Sequence, residues 1–427
     1  MKLFWVLLYN GFIYPLIFIV ALVASIFHEK LRIGILGRFQ AISILKQYFK
    51  ESGEPQILYW FHAASLGEFY QIKPVIDGLK EVRDDIKIIV SYSSPSGYNN
   101  SPNESIDLKI YAPFDFPWTI NTAFNIVRPK KIVFASYDIW PNMIWLAKFK
   151  GIHTNIFAAR VKYGSPKLKP AIKQFYRSVY GSISSIYTVS KTDSEGIHII
   201  LGSNKAPMVK VLGNPRYDMV MKSADDHSIQ RTESILERDK RIIIGSAHEE
   251  DDDFLIPSLA DIMDQYSDVK VLYAPHEPSG PAIDRISQRF KKLGYRSTVF
   301  TKKNDMTLSS DRLIIVGVVG VLSKLYWQGI IAFVGGGQST GIHNVMEPAV
   351  ARLPVLFGPK YHHAHEAEEL LKTGGGFCIN DQNEFSEKII QLLSDRKYYK
   401  LTSLAATDVI HKNLGSSTRI IRNLLHD

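Results

Sequence analysis

Residues 333–359 read FVGGGQSTGIHNVMEPAVARLPVLFGP, and this stretch decides the fold predicted for the chain. The apolar run 330–334 is typical of a buried parallel strand. The glycine-rich loop 335–341 frees the backbone for a sharp turn and lets a ligand come close. A helix is expected to begin near His343, so that its first amides bind a phosphate, and Glu347 one turn later would face the same ligand.

Two known phosphate-binding patterns do not fit this loop. Gly336 and Gly341 have the spacing of a P-loop, but Ile342 occupies the position that requires a lysine. The order of the glycines also departs from the dinucleotide-binding fingerprint. The loop therefore predicts a nucleotide-phosphate site of another type, with an ordinary strand–loop–helix corner as the structural alternative.

The length and charge of the chain limit its class. With 427 residues, of which 45% are hydrophobic, it can form two domains that each bury a core. The 51 Lys and Arg residues exceed the 42 Asp and Glu residues, and the net charge of +9 suits nucleic acid, a phosphorylated substrate or a membrane surface. Cys378 is the single cysteine, which excludes an internal disulfide and a Cys-based zinc cluster.

Short apolar runs alternate with helical patterns from residue 57 onwards. This alternation predicts an α/β fold with two doubly wound, Rossmann-like domains that face each other across a cleft. The polar segment 213–240 is the predicted linker between them. Ligands of such sheets bind outside the carboxyl ends of the strands. The predicted strands are 57–61, 86–92, 131–135, 154–158, 185–189, 209–212, 241–245, 269–274, 313–316, 330–334 and 354–357.

The N-terminal segment predicts a membrane anchor. Residues 3–27 are nearly all apolar and are long enough to cross a bilayer core of roughly 30 Å. Only Lys2 precedes them, whereas five basic residues follow between positions 30 and 50, so the positive-inside rule puts the body of the protein in the cytoplasm. Asn10 and Pro15 interrupt the apolar run, so a helix lying in the membrane interface is an alternative. A cleaved signal peptide is another.

Three polar residues in the first half of the chain are candidates for catalysis. Glu68 ends the segment YWFHAASLGE and opens a helix after a buried strand, where a general base would project above the sheet. Asp138, in SYDIWPN, also follows a strand. Arg216, in GNPRYD, lies at the predicted junction between the domains, where a cation could contact a leaving phosphate. The structural alternatives are a helix-start glutamate, a helix cap and a surface arginine.

Polar residues also follow the first two strands of the second predicted domain. Ser246 and His248, in GSAHE, follow the first of these strands, and His276 follows the next. The spacing of the histidines does not give His-x-x-x-His with a third ligand, so the sequence favours a site without metal. The histidines considered as possible metal ligands are His248, His276, His343, His362, His363 and His365.

Together these segments resemble the Kdo transferases, membrane-bound enzymes of lipopolysaccharide assembly. They move 3-deoxy-D-manno-octulosonic acid (Kdo) from CMP-Kdo to the lipid A precursor. The resemblance covers almost the whole chain, and HAASLGE and HNVMEP are its most specific parts. It implies the GT-B fold, inversion at the anomeric carbon, and neither a metal nor another cofactor. The implied organisation is a membrane anchor (1–28), an acceptor-binding domain (29–212), and a CMP-Kdo-binding domain (241–427) whose last helix packs back towards the first domain.

The resemblance also implies roles for individual residues. Glu68 matches the general base, Arg216 matches a cation that stabilises the transition state, and Asp138 is taken as a further catalytic residue. The residues taken to contact the acceptor are Ser65, Gly67 and Arg160. Those taken to contact the donor are Ser246, Pro275, His276, Val319, Gly320, Val321, His343, Asn344 and Glu347.

Three departures from the family pattern change the charge of the predicted site. SYDIWPN stands where the family usually has ETELWPN, His276 stands in the place of an arginine, and Val321 stands in the place of a glutamate. The fold and the class of donor are unaffected by these changes. What they alter is the way in which the negative charge of the donor is neutralised.

The predicted partners are CMP-Kdo, a lipid A precursor such as lipid IVA, and the cytoplasmic side of the inner membrane; no nucleic acid is expected. Two alternatives remain at this point. One is another GT-B enzyme that uses a UDP-sugar, such as a glycolipid glycosyltransferase or a sugar-nucleotide epimerase. The other is a non-catalytic nucleotide-sugar binding protein, because the family arginine and glutamates are missing.

Overall fold

The computed structural model describes residues 2–53, 57–136, 138–203, 206–227, 234–362 and 364–426. It divides the chain into two compact units. The first unit comprises Met1–Met219 with Gly415–Asp427, and the second comprises Val220–Leu414. The division falls inside the segment predicted as a linker, and the end of the chain belongs to the first unit.

Each unit is built on a seven-stranded parallel sheet. The strands of the first sheet are β1 (Ile57–Ala63), β2 (Ile86–Tyr92), β3 (Leu108–Tyr111), β4 (Lys131–Ala135), β5 (His153–Ala159), β6 (Ser185–Thr188) and β7 (Met208–Val211). Those of the second are β8 (Arg241–Ala247), β9 (Lys270–Pro275), β10 (Thr298–Phe300), β11 (Leu313–Val316), β12 (Ile331–Val334), β13 (Val355–Phe357) and β14 (Gly376–Cys378). The spatial orders are β3-β2-β1-β4-β5-β6-β7 and β10-β11-β9-β8-β12-β13-β14.

Helices connect the strands of both sheets. In the first unit they are α1 (Lys2–Leu8), a π-helical turn (Tyr9–Ile13), α2 (Tyr14–Phe27), α3 (Glu29–Ser52), α4 (Leu66–Val82), α5 (Pro95–Asn100), α6 (Pro117–Val127), α7 (Pro141–Phe149), α8 (Pro170–Tyr180) and α9 (Lys191–Leu201). Next come α10 (Arg216–Ser223), which the division between the units crosses, α11 (Glu249–Gln265), α12 (Gly280–Lys292), α13 (Leu322–Leu325), α14 (Met346–Val350), α15 (His365–Thr373), α16 (Gln382–Ser394), α17 (Arg396–Lys412) and α18 (Ser416–His426).

The predicted fold class is confirmed, and the strands that the sequence missed share one property. β3, β10 and β14 are absent from the predicted set, and all three are edge strands. Edge strands are short and partly exposed, so they lack the continuous apolar run by which a central parallel strand is recognised. β10, for example, has only Phe300 buried.

In both sheets the order in which successive strands are added reverses at one point, and ligands commonly bind at such a point. In the first sheet β1 and β4 are neighbours, and their connections leave in opposite directions. The same relation holds between β8 and β12 in the second sheet. Ligands of doubly wound sheets bind at the carboxyl ends of the strands beside such a switch point. The segments that carry Glu68 and the glycine-rich loop follow β1 and β12, respectively.

The apolar N-terminal segment packs against the first unit instead of standing apart from it. Lys2–Phe27 is the stretch among the described residues that is long and apolar enough to cross a membrane. Tyr9 and Tyr14 nevertheless belong to the hydrophobic core, where Tyr9 meets the ring of Trp145 and Tyr14 meets the ring of Phe116. The segment is therefore part of the folded body.

A polar network fixes this packing. The Tyr9 hydroxyl donates to Asp115 Oδ2 at 3.0 Å, and the backbone N–H of Asp115 donates to the Tyr14 hydroxyl at 2.6 Å. Asn10 and Asn142 exchange amide hydrogen bonds of 3.0 and 2.8 Å. Asn10, which interrupts the apolar run in the sequence, is thus a docking contact together with Tyr9 and Tyr14.

We expect Asp115→Asn to lower the free energy of unfolding by about 1–3 kcal/mol, because an amide in place of the carboxylate leaves a buried N–H without its acceptor. Asp115 is fully buried and accepts from the backbone N–H groups of Asn142 and Met143, each at 2.9 Å. Denaturant unfolding in detergent, followed by tryptophan fluorescence, measures the loss. The exposed Asp408→Asn variant is the control and should stay near wild type. Equal midpoints for the two variants would contradict the assigned role of Asp115.

Candidate active site

Glu68 lies at the carboxyl end of β1, beside the switch point of the first sheet. Ser65 caps helix α4, and its hydroxyl accepts the Glu68 N–H at 3.4 Å. The Glu68 carboxylate turns back and accepts the Ala64 N–H at 2.5 Å. Gly67 stands between them in the first turn of the helix. This local geometry is that of a capping glutamate, which was the structural alternative in the sequence.

The surroundings of Glu68 differ from those of an ordinary cap. Burial raises the pKa of Glu68 to about 7, and the negative charge of Asp138 adds to the shift, while the hydrogen bonds from Ala64 and Ser65 oppose it. By comparison, Glu384 accepts the Asn380 N–H at 2.8 Å in the same arrangement at the start of α16, but there the contacts are exposed. Glu68 is therefore a carboxylate that exchanges its proton near neutral pH.

Asp138 stands in a network of buried polar side chains. Its Oδ2 accepts from the Ser93 hydroxyl at 3.0 Å and lies 3.0 Å from Nε2 of the buried His62. The indole nitrogen of Trp140 also lies 3.0 Å from His62 Nε2. Burial opposes ionisation of Asp138, but the hydrogen bond and charge of His62, with Ser93 and Arg38, outweigh it, so the pKa of Asp138 is below its usual value.

Asp138 is not a helix cap. Helix α7 starts at Pro141 with Trp140 at its cap position and no side-chain cap bond there. The first amides of α7 are instead accepted by Asp115 from another part of the chain. The capping alternative considered from the sequence is therefore wrong for Asp138, which is left to interact with His62 and Glu68.

Two other predicted residues of the first unit, Arg160 and Arg216, also lie at the ends of secondary-structure elements. Arg160 directly follows β5, and Arg216 is the first residue of α10, where its backbone N–H donates to Asn214 Oδ1 at 3.1 Å. Arg38 on α3 was not predicted, yet its guanidinium lies 4.7 Å from the ring centre of Trp140 and its charge acts on Asp138. The N-terminal helices thus bring a cation to the Asp138 network that no local motif indicated.

The glycine-rich loop of the second unit turns at Gly336, whose φ of 87° favours glycine. The Gly341 N–H donates to Gly336 O at 2.8 Å and closes the loop. Asp251 on α11 was not predicted, but its Oδ2 accepts from Gly336 N at 2.7 Å and from His248 N at 2.9 Å. Asp251 therefore ties the loop after β12 to the turn after β8.

The helix expected to begin near His343 begins later. Helix α14 starts at Met346 and has five residues. The His343 N–H donates to Gly335 O at 3.3 Å, so this amide already has an acceptor within the protein. Asn344 Oδ1 accepts from Met346 N at 3.1 Å, and its Nδ2 donates to Glu347 Oε1 at 2.9 Å. The prediction of phosphate-binding helix amides at His343 is therefore wrong, while Asn344 and Glu347 do lie together.

Three histidines from separate strand ends form one cluster. His248 follows β8, His276 follows β9 and His343 follows the glycine-rich loop, and their possible ligand atoms all lie within 4.8 Å of one another. The Nε2 atoms of His248 and His343 are 2.9 Å apart, and Ser339 Oγ lies 3.0 Å from His248 Nδ1. Burial, followed by the nearby charge of His248, lowers the pKa of His276. Spacing along the sequence did not reveal this set because its members meet only in the folded sheet.

A cavity of about 470 Å³ lies beside this cluster. Its lining includes His276 and Val319, both predicted to contact the donor, together with Ser279 and Lys303, which were not predicted. Gly320 next to Val319 has a φ of 83°, which forms the turn that leads into α13. The volume is within the range of roughly 300–1,000 Å³ that is usual for small-molecule sites.

Three further predicted donor residues lie around this region. Pro275 is the last residue of β9, and Val321 occupies the cap position of α13 and is buried. Ser246 has a φ of 55°, which is unusual for a residue other than glycine. Backbone strain of this kind clusters at functional sites.

A family model and several known proteins that are similar to this chain carry the same name. The family described as 3-deoxy-D-manno-octulosonic-acid transferase (kdotransferase) matches residues 37–219. The 3-deoxy-D-manno-octulosonic acid transferase of Aquifex aeolicus is 26% identical over 364 residues, which cover 84% of this chain and 93% of that protein. The one from Haemophilus influenzae is 24% identical and covers 85% of each chain. A probable mitochondrial 3-deoxy-D-manno-octulosonic acid transferase of Arabidopsis thaliana is 24% identical and covers 87% of this chain and 84% of its own.

Solved structures agree on the fold. A UDP-GlcNAc 2-epimerase from Neisseria meningitidis superposes with a TM-score of 0.62 at 14% identity, covering 87% of this chain and 100% of that one. MurG of Acinetobacter baumannii gives 0.56 at 12% identity, with 87% and 100% covered. These two have the GT-B type of architecture that the motifs imply. The comparisons confirm the resemblance carried by the motifs: this chain is a glycosyltransferase that is similar over most of its length to the Kdo transferases.

Proposed function

We propose that this enzyme transfers Kdo from CMP-Kdo to a lipid A precursor such as lipid IVA, with inversion at the anomeric carbon. The observation that carries the proposal is the Glu68–Asp138 pair at the switch point of the first sheet, because it supplies a general base with a pKa near working pH. The names of the relatives supply the identity of the transferred sugar. The CMP-linked donor is the one implied by the resemblance of the motifs.

The acceptor is a sugar hydroxyl of a phosphorylated glycolipid. Glu68 in its ionised form takes the hydroxyl proton as the oxygen attacks the Kdo anomeric carbon and CMP departs. The charge of Asp138 raises the proton affinity of Glu68, while His62 and Ser93 keep Asp138 ionised. Ser65 and Gly67 hold the turn that presents Glu68, and Arg160 is the proposed acceptor-binding cation.

The donor carries a phosphate and a carboxylate, and the second unit offers groups that match them. Asn344 and Glu347, joined by a hydrogen bond of 2.9 Å, are the proposed contacts to CMP. Lys303 and the histidine cluster are the proposed partners of the donor anions, in the region where the family has an arginine. Arg216 is proposed to stabilise the charge that develops on the departing phosphate.

One assay with purified enzyme tests this function. The enzyme is incubated with lipid IVA and either CMP-Kdo or UDP-N-acetylglucosamine, and products are read by mass spectrometry. We expect a mass increase of one or more Kdo residues and release of CMP only in the first reaction. Release of UDP would identify a UDP-sugar enzyme, and donor binding without any product would identify a binding protein.

We expect Glu68→Gln to reduce kcat by roughly 10²–10⁴-fold, the usual loss for a general base, with CMP binding retained. Glu384→Gln is the matched control, since Glu384 has the same capping geometry and lies outside the proposed site. If Glu68 is only a cap, the two variants will behave alike.

The pH dependence gives a second test of the same pair. Because Glu68 must be ionised to accept a proton, kcat is expected to rise with pH and level off above about 7. Asp138→Asn removes a charge that raises the pKa of Glu68, so the rising limb should move to lower pH. An unchanged limb in this variant would remove Asp138 from the mechanism.

We also propose that catalysis needs no metal ion, although three histidines lie together. The rings of His248 and His276 stack at 4.6 Å and 17°, and those of His276 and His343 at 4.4 Å and 27°. The lone pairs of an imidazole lie in the plane of its ring, so stacked rings do not direct them to one point. The separation of 2.9 Å between the Nε2 atoms of His248 and His343 is also shorter than the roughly 3.3–3.4 Å between ligands of tetrahedral zinc.

Dialysis against EDTA is therefore expected to leave kcat/KM unchanged. Elemental analysis of the dialysed enzyme checks that no zinc or other transition metal is retained. Loss of activity that added Zn²⁺ restores would show that the histidines are ligands and would contradict the proposal.

We propose that the enzyme acts at the cytoplasmic side of the inner membrane and that residues 2–27 lie in the membrane interface. Contacts with the body run from Trp5, which meets Phe175, to Phe18, which meets Phe114. A helix attached along this length cannot cross the bilayer without drawing the body into the hydrocarbon. The opposite side is exposed and apolar, as an interfacial helix requires. Its residues include Leu16, Ile19, Val20, Val23, Ile26 and Phe27.

Cysteine labelling distinguishes this arrangement from a spanning helix. Lys2→Cys and Lys30→Cys, each in a Cys378→Ser background, are treated with a membrane-impermeant maleimide. An interfacial helix predicts that both are labelled in inside-out vesicles and neither in spheroplasts. A spanning helix predicts that Lys2→Cys is labelled in spheroplasts. Solubilised protein, in which both should react, is the control.

A further inference from the structure

A cavity of about 420 Å³ lies between the N-terminal helices and the carboxyl end of the first sheet. Helices α2 and α3 form one side of it, with Ile17, Phe18, Ala21 and Ile35. Phe114 contributes to the opposite side. These walls are largely apolar, which suits a hydrocarbon chain.

The remaining wall of the cavity is polar and reaches the proposed catalytic network. Ser93 lines the cavity and donates its hydroxyl hydrogen bond to Asp138 at 3.0 Å. Trp140 also lines it and lies 3.0 Å from His62 through its indole nitrogen. The apolar chamber is thus continuous with the side chains that set the proton affinity of Glu68.

Arg38 supplies positive charge within this cavity. Its guanidinium stacks on Trp140 at 4.7 Å, and burial is the main reason why the pKa of Arg38 is lowered. In the part of the chain that the structure describes, neither a hydrogen bond nor an ion pair occupies the guanidinium. Asp138 acts on Arg38 through its charge alone, so the guanidinium can still accept a directly paired anion, which would offset the cost of its burial. Lys30 lines the same cavity and adds a second cation.

We propose that this cavity holds an acyl chain of the acceptor glycolipid, with a phosphate of its headgroup paired to Arg38. The inference rests on the proposed function, which requires a phosphorylated, acylated acceptor. It gives the N-terminal helices a second role, as one wall of the acceptor site. An acceptor bound in this way reaches the Glu68 turn directly from the leaflet in which its other chains remain.

Gly34 offers a substitution that fills the cavity without disturbing its frame. It lines the cavity from α3, and a Cβ built there meets only Ser93 O at 3.5 Å and Pro95 Cδ at 3.8 Å, which are ordinary contacts. Gly34→Leu should therefore fold and exclude part of an acyl chain. Gly11→Leu is the matched control, because Gly11 lies in the N-terminal segment that precedes α3 and its Cβ would meet nothing within 4 Å.

The experiment measures equilibrium binding of a tetraacylated glucosamine disaccharide bisphosphate in detergent micelles, without donor. Gly34→Leu is expected to weaken binding by about tenfold or more, which corresponds to excluding about two methylenes from an apolar site. Gly11→Leu should bind as wild type does. Arg38→Gln should weaken binding of the bisphosphate and have much less effect on the analogue without phosphates.

Kinetics with a deacylated acceptor complete the test. Gly34→Leu should leave kcat/KM for the water-soluble disaccharide bisphosphate unchanged while lowering it for the acylated form. Equal losses on both acceptors, or wild-type affinity of Gly34→Leu for the acylated form, would overturn the cavity assignment. Displacement of the acceptor by bulk phospholipid at equal concentration would also overturn it, since the cavity would then be a general lipid site.

The outcome separates this inference from the proposed function. If Gly34→Leu binds the acylated acceptor weakly but the wild-type enzyme does not transfer Kdo from CMP-Kdo, the cavity assignment is supported and the donor assignment is wrong. If transfer from CMP-Kdo proceeds normally in Gly34→Leu with the acylated acceptor, the function stands and the cavity assignment fails.

Discussion

The buried carboxylate of Asp115 is the contact on which the N-terminal half of this enzyme depends. It joins elements that are far apart in the chain, since it accepts the first amides of α7 and the hydroxyl of Tyr9, 106 positions earlier. Burial raises the pKa of Asp115 to about 7, and the hydrogen bonds from Asn142, Met143 and Tyr9 oppose that shift. A buried carboxylate is tolerated only when its lone pairs are filled in this way. The start of α7 is thereby held against the N-terminal helices.

This constraint extends to the chemistry, because Asp138 and Trp140 immediately precede α7. Because Asp115 accepts the first amides of α7, Asp138 does not cap this helix. Asp138 interacts instead with His62 and Ser93. Its charge is then available to raise the proton affinity of Glu68. The family's usual glutamates in this segment are Ser136 and Asp138 here, and the shorter side chain is placed close enough to act through charge. A departure from the family pattern is thus compatible with the same acid–base role.

Features encoded by local sequence were predictable, and features created by packing were not. Apolar runs revealed the central strands, whereas the edge strands β3, β10 and β14 lack such runs because one side of each is open. Glu68 and the glycine-rich loop stand in motifs, so the sequence singles out both as candidates. Asp115, Asp251 and Arg38 act on distant segments, and nothing in their neighbours indicates this. The predicted helix start was wrong because the amide of His343 donates back to Gly335 O at the start of the glycine-rich loop.

The polar residues of the N-terminal segment, which are unfavourable in a helix that spans a bilayer, are the residues that dock the segment on the protein. Polar side chains in a helix that only has to cross a bilayer are costly, since hydrocarbon offers them no partner. Here Tyr9 and Asn10 find partners in Asp115 and Asn142, and the backbone widens to a π-helical turn where they do so. One side of the segment therefore packs against the protein, and the other side is exposed and can contact lipid. In the proposed interfacial arrangement, a helix of this kind brings part of the enzyme to the bilayer surface as well as anchoring it. Under the proposed function, the helix and the proposed acceptor cavity beside it form one functional element.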